Sequence, residues 1–260
     1  MFAGGSDDSS SYLNVVDAYN QASTKTTSPD PLSQARRSLA ATSVGNYALF
    51  AGGDAGSGSS YGTVDVYQAL TKTTSPDPLS QARDSLAATS VGNYALFAGG
   101  QQFGTGSLYG TVDVYNQNST KTTSPEPLSQ PRKYLAATSV GNYALFAGGS
   151  DDSSPYNTVD AYDQTSTKVT FSDPLSQARS HLAATTVGDY ALFGGGGDSS
   201  TSSSKVDVYS PPPYNVQLFP ETKYSFNGAA ESTSSTWQTI AMKGSVVGYI
   251  KIKNTNVTGD

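Results

Sequence analysis

Apolar and polar positions follow one short rhythm that returns along the chain. Leu86–Gly100 reads LAATSVGNYALFAGG, the same letters stand at Leu39–Gly53 and Leu135–Gly149, and Leu182–Gly196 differs only slightly, as LAATTVGDYALFGGG. Within the first three copies a small, mostly apolar run meets a Gly-Asn turn signal, Gly-Asp in the fourth, and Tyr-Ala-Leu-Phe follows as a nearly continuous apolar run. Runs this short, bounded by glycine, predict strands covered on both faces and joined by a tight hairpin. A third run, Thr111–Tyr115 (TVDVY), alternates with period two, and Thr120–Ser124 (TKTTS) ends at Pro125-Glu126-Pro127. Each unit thus predicts four strands, designated a to d. Small-residue strand a is expected inside, and proline-stopped strand d outside.

The spacing makes this a repeat architecture. The Asp of V-D-[VA]-Y falls at Asp17, Asp65, Asp113, Asp160 and Asp207, and the Arg of L-S-Q-[AP]-R at Arg36, Arg83, Arg132 and Arg179, a period of 47 to 49 residues. Such a period signals a propeller or solenoid. The predicted units lie near 1–30, 31–77, 78–126, 127–173 and 174–210. The first lacks strand a and the fifth lacks strand d, which leaves eighteen strands. The segment 211–260 departs from the repeat and holds the only tryptophan, Trp237. Strand-like runs in it stand at Asn215–Phe219, Lys223–Phe226, Trp237–Met242 and Val246–Lys253. Asn215–Phe219 and Val246–Ile252 are candidates to complete the fifth and first units and close a ring. The alternatives are a small β cap, or a chain that is a fragment of a larger ring.

The units resemble the kelch repeat over roughly Phe2 to Tyr209. The resemblance rests on the double glycine after Tyr-Ala-Leu-Phe, on Tyr19, Tyr67, Tyr115, Tyr162 and Tyr209 of V-D-V-Y, and on the Arg that opens each next unit. The tryptophan usual in strand d is replaced here, at Thr27, Thr74, Thr123 and Thr170. The resemblance implies an all-β, kelch-like β-propeller of about five four-stranded blades; a fold does not by itself imply a function.

Composition narrows the chemistry. A net charge of −6 with no basic stripe argues against nucleic acid. No run reaches the roughly 18 apolar residues of a membrane-spanning helix. Met1 leads directly into a strand end, so no secretory leader is read there; an extracellular, surface or virion setting suits the composition better than cytoplasm. With no cysteine and one histidine, thiolate metal sites, disulfides and the crosslinked copper centre of kelch-type galactose oxidases have no residues to build them. The sialidase S-x-D-x-G-x-T-W box is absent as well. Asp7-Asp8 and Asp151-Asp152 lack the alternating ligand pattern of a calcium loop. No cofactor, metal or catalytic residue is expected.

The variable positions point elsewhere. Pro31–Gly53 and Pro78–Gly100 differ only at Arg37 against Asp84. The corresponding d–a pairs are Arg37-Ser38, Asp84-Ser85, Lys133-Tyr134 and Ser180-His181, and the b–c loops also diverge. In antiparallel units these two loop sets share one end. Variable loops on a rigid frame suit binding. The candidate ligand-binding residues are Arg37, Tyr61, Asp84, Phe103, Tyr109, Lys133, Tyr134, Tyr156 and His181. The repeated Arg and Asp are read as structural. The expected function is a non-enzymatic scaffold for a protein or glycan, monomeric if the ring closes and otherwise swapped or larger. The alternative is an architectural repeat of a bacterial surface or phage fibre protein, or a designed array. A sugar mutarotase-like enzyme is the remaining reading, with no convergent acid/base set to support it.

Overall fold

The computed structural model describes residues 1–7, 11–56, 58–74, 77–123, 126–170, 173–198 and 200–211, with the backbone of 214–216 and 240–242. The chain divides into two units, Met1–Ser210 and Pro211–Asp260. The first is built of five antiparallel sheets. Sheet I holds β1 (Phe2–Ala3), β2 (Val16–Tyr19) and β3 (Lys25–Thr27). Sheet II holds β4 (Ala40–Val44), β5 (Tyr47–Ala51), β6 (Val64–Gln68) and β7 (Thr71–Thr74). Sheet III holds β8 (Ala87–Val91), β9 (Tyr94–Ala98), β10 (Val112–Asn116) and β11 (Lys121–Thr123). Sheet IV holds β12 (Ala136–Val140), β13 (Tyr143–Ala147), β14 (Val159–Asp163) and β15 (Lys168–Val169). Sheet V holds β16 (Ala183–Val187), β17 (Tyr190–Gly194) and β18 (Val206–Tyr209). Among the described residues there is no helix, and so none long and apolar enough to cross a membrane.

The a–b hairpin is a two-residue turn. Gly92 takes φ +54° while Asn93 stays out of the left-handed region, the pattern of a type II′ turn. Strands β4, β8, β12 and β16 lie side by side in succession. Their small residues permit this approach, and the Thr138 and Thr186 hydroxyls meet at 2.7 Å. The double glycines mark a second close approach. A Cβ on Gly99 would stand 2.6 Å from the Arg132 carbonyl oxygen, and the Gly100 N–H donates to that oxygen at 2.8 Å.

Sheets pack face to face through one repeated apolar set. Ala40, Val44, Leu49, Ala51, Val64 and Val66 of sheet II meet Ala95, Phe97 and Tyr115 of sheet III. The same steps recur between sheets III and IV and between IV and V. Each Phe–Tyr pair is edge-on, at 5.7 Å for Phe50–Tyr67 and 5.9 Å for Phe97–Tyr115, the geometry that the ring quadrupoles favour.

The repeated Arg and Asp are internal ties. Arg83, fully buried, sets Nη2 2.8 Å from Asp113 Oδ2 and donates to the Phe97 carbonyl at 3.1 Å. Arg36–Asp65, Arg132–Asp160 and Arg179–Asp207 repeat the pair at 2.8, 2.8 and 2.7 Å. Burial alone would push the Asp113 and Asp160 carboxyls up. Arg83 and Arg132 beside them, helped by Ser80 and Lys121 and by Ser129 and Lys168, hold both below the usual carboxylate range. A depressed folded-state pKa contributes stability above the unfolded value, about 3.9, and that contribution is lost as pH falls through the folded value. The urea midpoint is therefore expected to hold down to about pH 5 and to drop below about pH 4. A midpoint that does not fall in acid would contradict these pairings.

In the second unit β19 (Tyr214–Val216) pairs antiparallel with β20 (Ile240–Met242) as a two-stranded sheet. The strand expected at Asn215–Phe219 thus starts one residue earlier and pairs with β20, while sheet V ends with three strands. The predicted runs at Lys223–Phe226 and Val246–Lys253, with Trp237, lie outside the described residues.

Candidate functional site

The d–a linkers and b–c loops meet at one end of the sheets through backbone hydrogen bonds. The first residue of each variable pair docks onto the start of its own sheet's b–c loop. Arg37 and Asp54 exchange N–H···O bonds of 3.0 Å in both directions, and Asp84 with Gln101, Lys133 with Ser150 and Ser180 with Gly197 do likewise. The second residue links sheet to sheet. The Ser85 N–H donates to the Ser38 carbonyl at 2.9 Å, Tyr134 to Ser85 at 3.0 Å, and His181 to Tyr134 at 2.9 Å. Four residues of three types therefore stand in one row, and each takes φ 56°. That left-handed conformation costs a non-glycine residue about 1–2 kcal/mol and persists only where its surroundings over-determine it. Here the ladder supplies that constraint.

Side chains divide the row into a charged part and an aromatic part. Arg37 Nε stands 3.3 Å from Asp54 Oδ1, with the guanidinium 5.3 Å from the centre of the Tyr12 ring. Asp84 is buried, and its carboxylate accepts from Ser60 Oγ at 2.7 Å, Ser85 Oγ at 2.8 Å and Gln101 Nε2 at 3.3 Å. Lys133 Nζ donates to Gln101 Oε1 at 2.7 Å and pairs with Asp152 at 2.6 Å, while lying 5.4 Å from the Tyr134 ring centre. Tyr134 and His181 stack, with centroids 4.0 Å apart and planes 24° from parallel. Exposed His181 also borders an open polar depression of about 620 Å³ that includes Ser180, Asp198, Thr201 and Ser203. The Asp198 carboxyl there is lowered to about 2 by backbone N–H donors from Ser200 and Thr201.

The remaining candidates serve the frame more than the row. Tyr61, Tyr109 and Tyr156 stand at one repeated step. The N–H of each donates to the second glycine of its own sheet, at 2.8, 2.9 and 2.7 Å, and its carbonyl accepts from the arginine of the next. All three are half-buried. The Tyr109 hydroxyl donates to Gln102 Oε1 at 3.0 Å and that of Tyr156 to Asp151 Oδ2 at 2.7 Å. That last bond raises the Tyr156 phenol and lowers the Asp151 carboxyl. Half-buried Phe103 is held by its own N–H, which donates to Ser60 Oγ at 2.7 Å. The structure thus brings Lys133, Tyr134 and His181 into one patch, sets Arg37 apart beside Tyr12, and turns Asp84 inward.

Two participants escape the sequence reading, Tyr12 and Gln101, and Asp152, weighed above only as an ion ligand, pairs with Lys133. Gln101 opens a b–c loop opposite a variable d–a residue, a positional signal that alignment of the units alone supplies. Asp151, weighed above as an ion ligand, caps its own loop instead, accepting from the Ser153 and Ser154 N–H groups at 2.7 Å; Asp8 lies outside the described residues. Among the described residues no three His, Asp or Glu side chains gather as a metal site would require. No protein-family model and no curated protein matches the chain.

Proposed function

We propose that this chain is a kelch-like β-propeller that acts as a non-enzymatic binding scaffold for a protein or glycan. One observation carries the reading: the hydrogen-bonded row Ser38–Ser85–Tyr134–His181 stands beside the variable residues Arg37, Asp84, Lys133 and Ser180 and ends in a stacked aromatic pair flanked by Lys133. Repeated sheets supply a rigid frame, and the inter-sheet hydrogen bonds hold the row in a conformation that is costly for serine, tyrosine and histidine. Flat rings beside an ammonium suit a sugar face or an interface anchor.

The test is an array of glycans and proteins probed with the full chain and with Tyr134→Ala. Reproducible hits that weaken at least about tenfold in the variant, a loss of about 1.4 kcal/mol, support the reading. An array without hits, or hits indifferent to Tyr134→Ala, overturns it. The architectural reading is favoured by a separate feature, the uncovered apolar faces of sheets I and V.

A further inference from the structure

The three junctions from sheet II to sheet V have the same two halves. The leading half is the Val and Leu face of strands a, b and c; the trailing half is the Phe–Tyr pair of strands b and c on the next sheet. Sheets I and V each carry one half uncovered. On sheet V, Val187, Val206 and Val208 are 60%, 56% and 56% exposed, whereas Val44, Val64 and Val66 at the same steps of sheet II are buried. On sheet I, Phe2 and Tyr19 are 69% and 51% exposed, whereas Phe97 and Tyr115 of sheet III are buried. The exposed pair already holds the junction geometry, with ring centroids 5.8 Å apart and planes at 84°. The backbone shows the same open end. The second glycine of sheets I to IV donates its N–H to the arginine carbonyl of the next sheet, and Gly196 of sheet V has no following repeat arginine among the described residues.

We infer that the trailing face of sheet I docks on the leading face of sheet V in a second copy of this chain, so that copies associate head to tail. The two halves are complementary because the chain joins the same residue types at the same register inside itself, and within one copy both remain exposed. A second copy supplies the missing half at each end. The contact is heterologous: it leaves one face free at each end of a pair, so growth continues unless the assembly closes on itself.

Sedimentation velocity of the full chain across a wide concentration range tests this, with Val208→Asp on sheet V and Tyr19→Asp on sheet I. The expected result is a wild-type mass that rises with concentration past the dimer, and two variants each monomeric over the same range. Mixed in equal amounts, the variants should form a dimer and stop there, because only one pairing of intact faces remains. Both positions are exposed, so circular dichroism should be unchanged; if either variant unfolds, Val206→Lys and Phe2→Lys replace them. A wild-type monomer at every concentration, variants that associate like wild type, or a mixture that stays monomeric would each overturn the inference.

Discussion

Arg83→Met is expected to lower the unfolding free energy by about 3 kcal/mol, at the low end of the 3–5 kcal/mol typical for breaking a buried ion pair from one side. The arginine is fully buried, and its Nη1 also donates to Gln81 Oε1 at 3.1 Å. Its removal strands Asp113, itself buried, and frees the Phe97 carbonyl. The loss is moderated by Lys121, whose Nζ lies 2.9 Å from Asp113, and by Ser80, whose Oγ donates to the same carboxylate at 2.6 Å. Most of the cost is an unpaired charge rather than a lost attraction, so the double variant Arg83→Met/Asp113→Asn should recover a large part of it. Urea titrations of the two single variants and the double close the cycle. A loss under about 1 kcal/mol for Arg83→Met, or no recovery in the double, would show that the pair is not the tie described.

Phe97→Ala is expected to cost about 3–5 kcal/mol, while the same change at Phe2 costs less than about 1 kcal/mol in dilute protein. The two phenylalanines occupy one register step, opposite Asp113 and Asp17 of the neighbouring strand. Both make an edge-on contact with the tyrosine of that strand. The difference is what lies beyond. Phe97 is buried in the cluster between sheets II and III, and its removal leaves a cavity there; Phe2 faces solvent. Equal urea-midpoint shifts at the two positions would mean that the sheet I face is covered in solution.

Much of the first unit was legible in the sequence because each repeat states the same strands again. The eighteen strands and the tight a–b hairpins followed from residue type and spacing, as did a structural role for the repeated Arg and Asp; that these two pair with each other did not. Strand ends were less legible: the strand expected from Thr120 starts at Lys121, and Ser124 lies outside the described residues. The tail was least legible, because it lacks the repeat that disciplines the rest, and Tyr214–Val216 found a partner in Ile240–Met242. At the site, comparing near-identical units located the variable row. It could not show that Ser38, Ser85, Tyr134 and His181 share one left-handed conformation, because hydrogen bonds between sheets impose it whatever the side chain. Nor could it show that Asp84 is consumed by Ser60, Ser85 and Gln101.

The reading of this chain as a one-sided scaffold is tested most directly by titration calorimetry with the strongest array partner. Three proteins are compared: the full chain, Tyr134→Ala/His181→Ala on the variable row, and Gln117→Ala on the c–d turn at the opposite end of sheet III, where Gln117 bonds Asn93. The account predicts that the double variant binds at least about tenfold more weakly and that Gln117→Ala binds as the parent does. Equal affinity for all three, or a loss confined to Gln117→Ala, would contradict it.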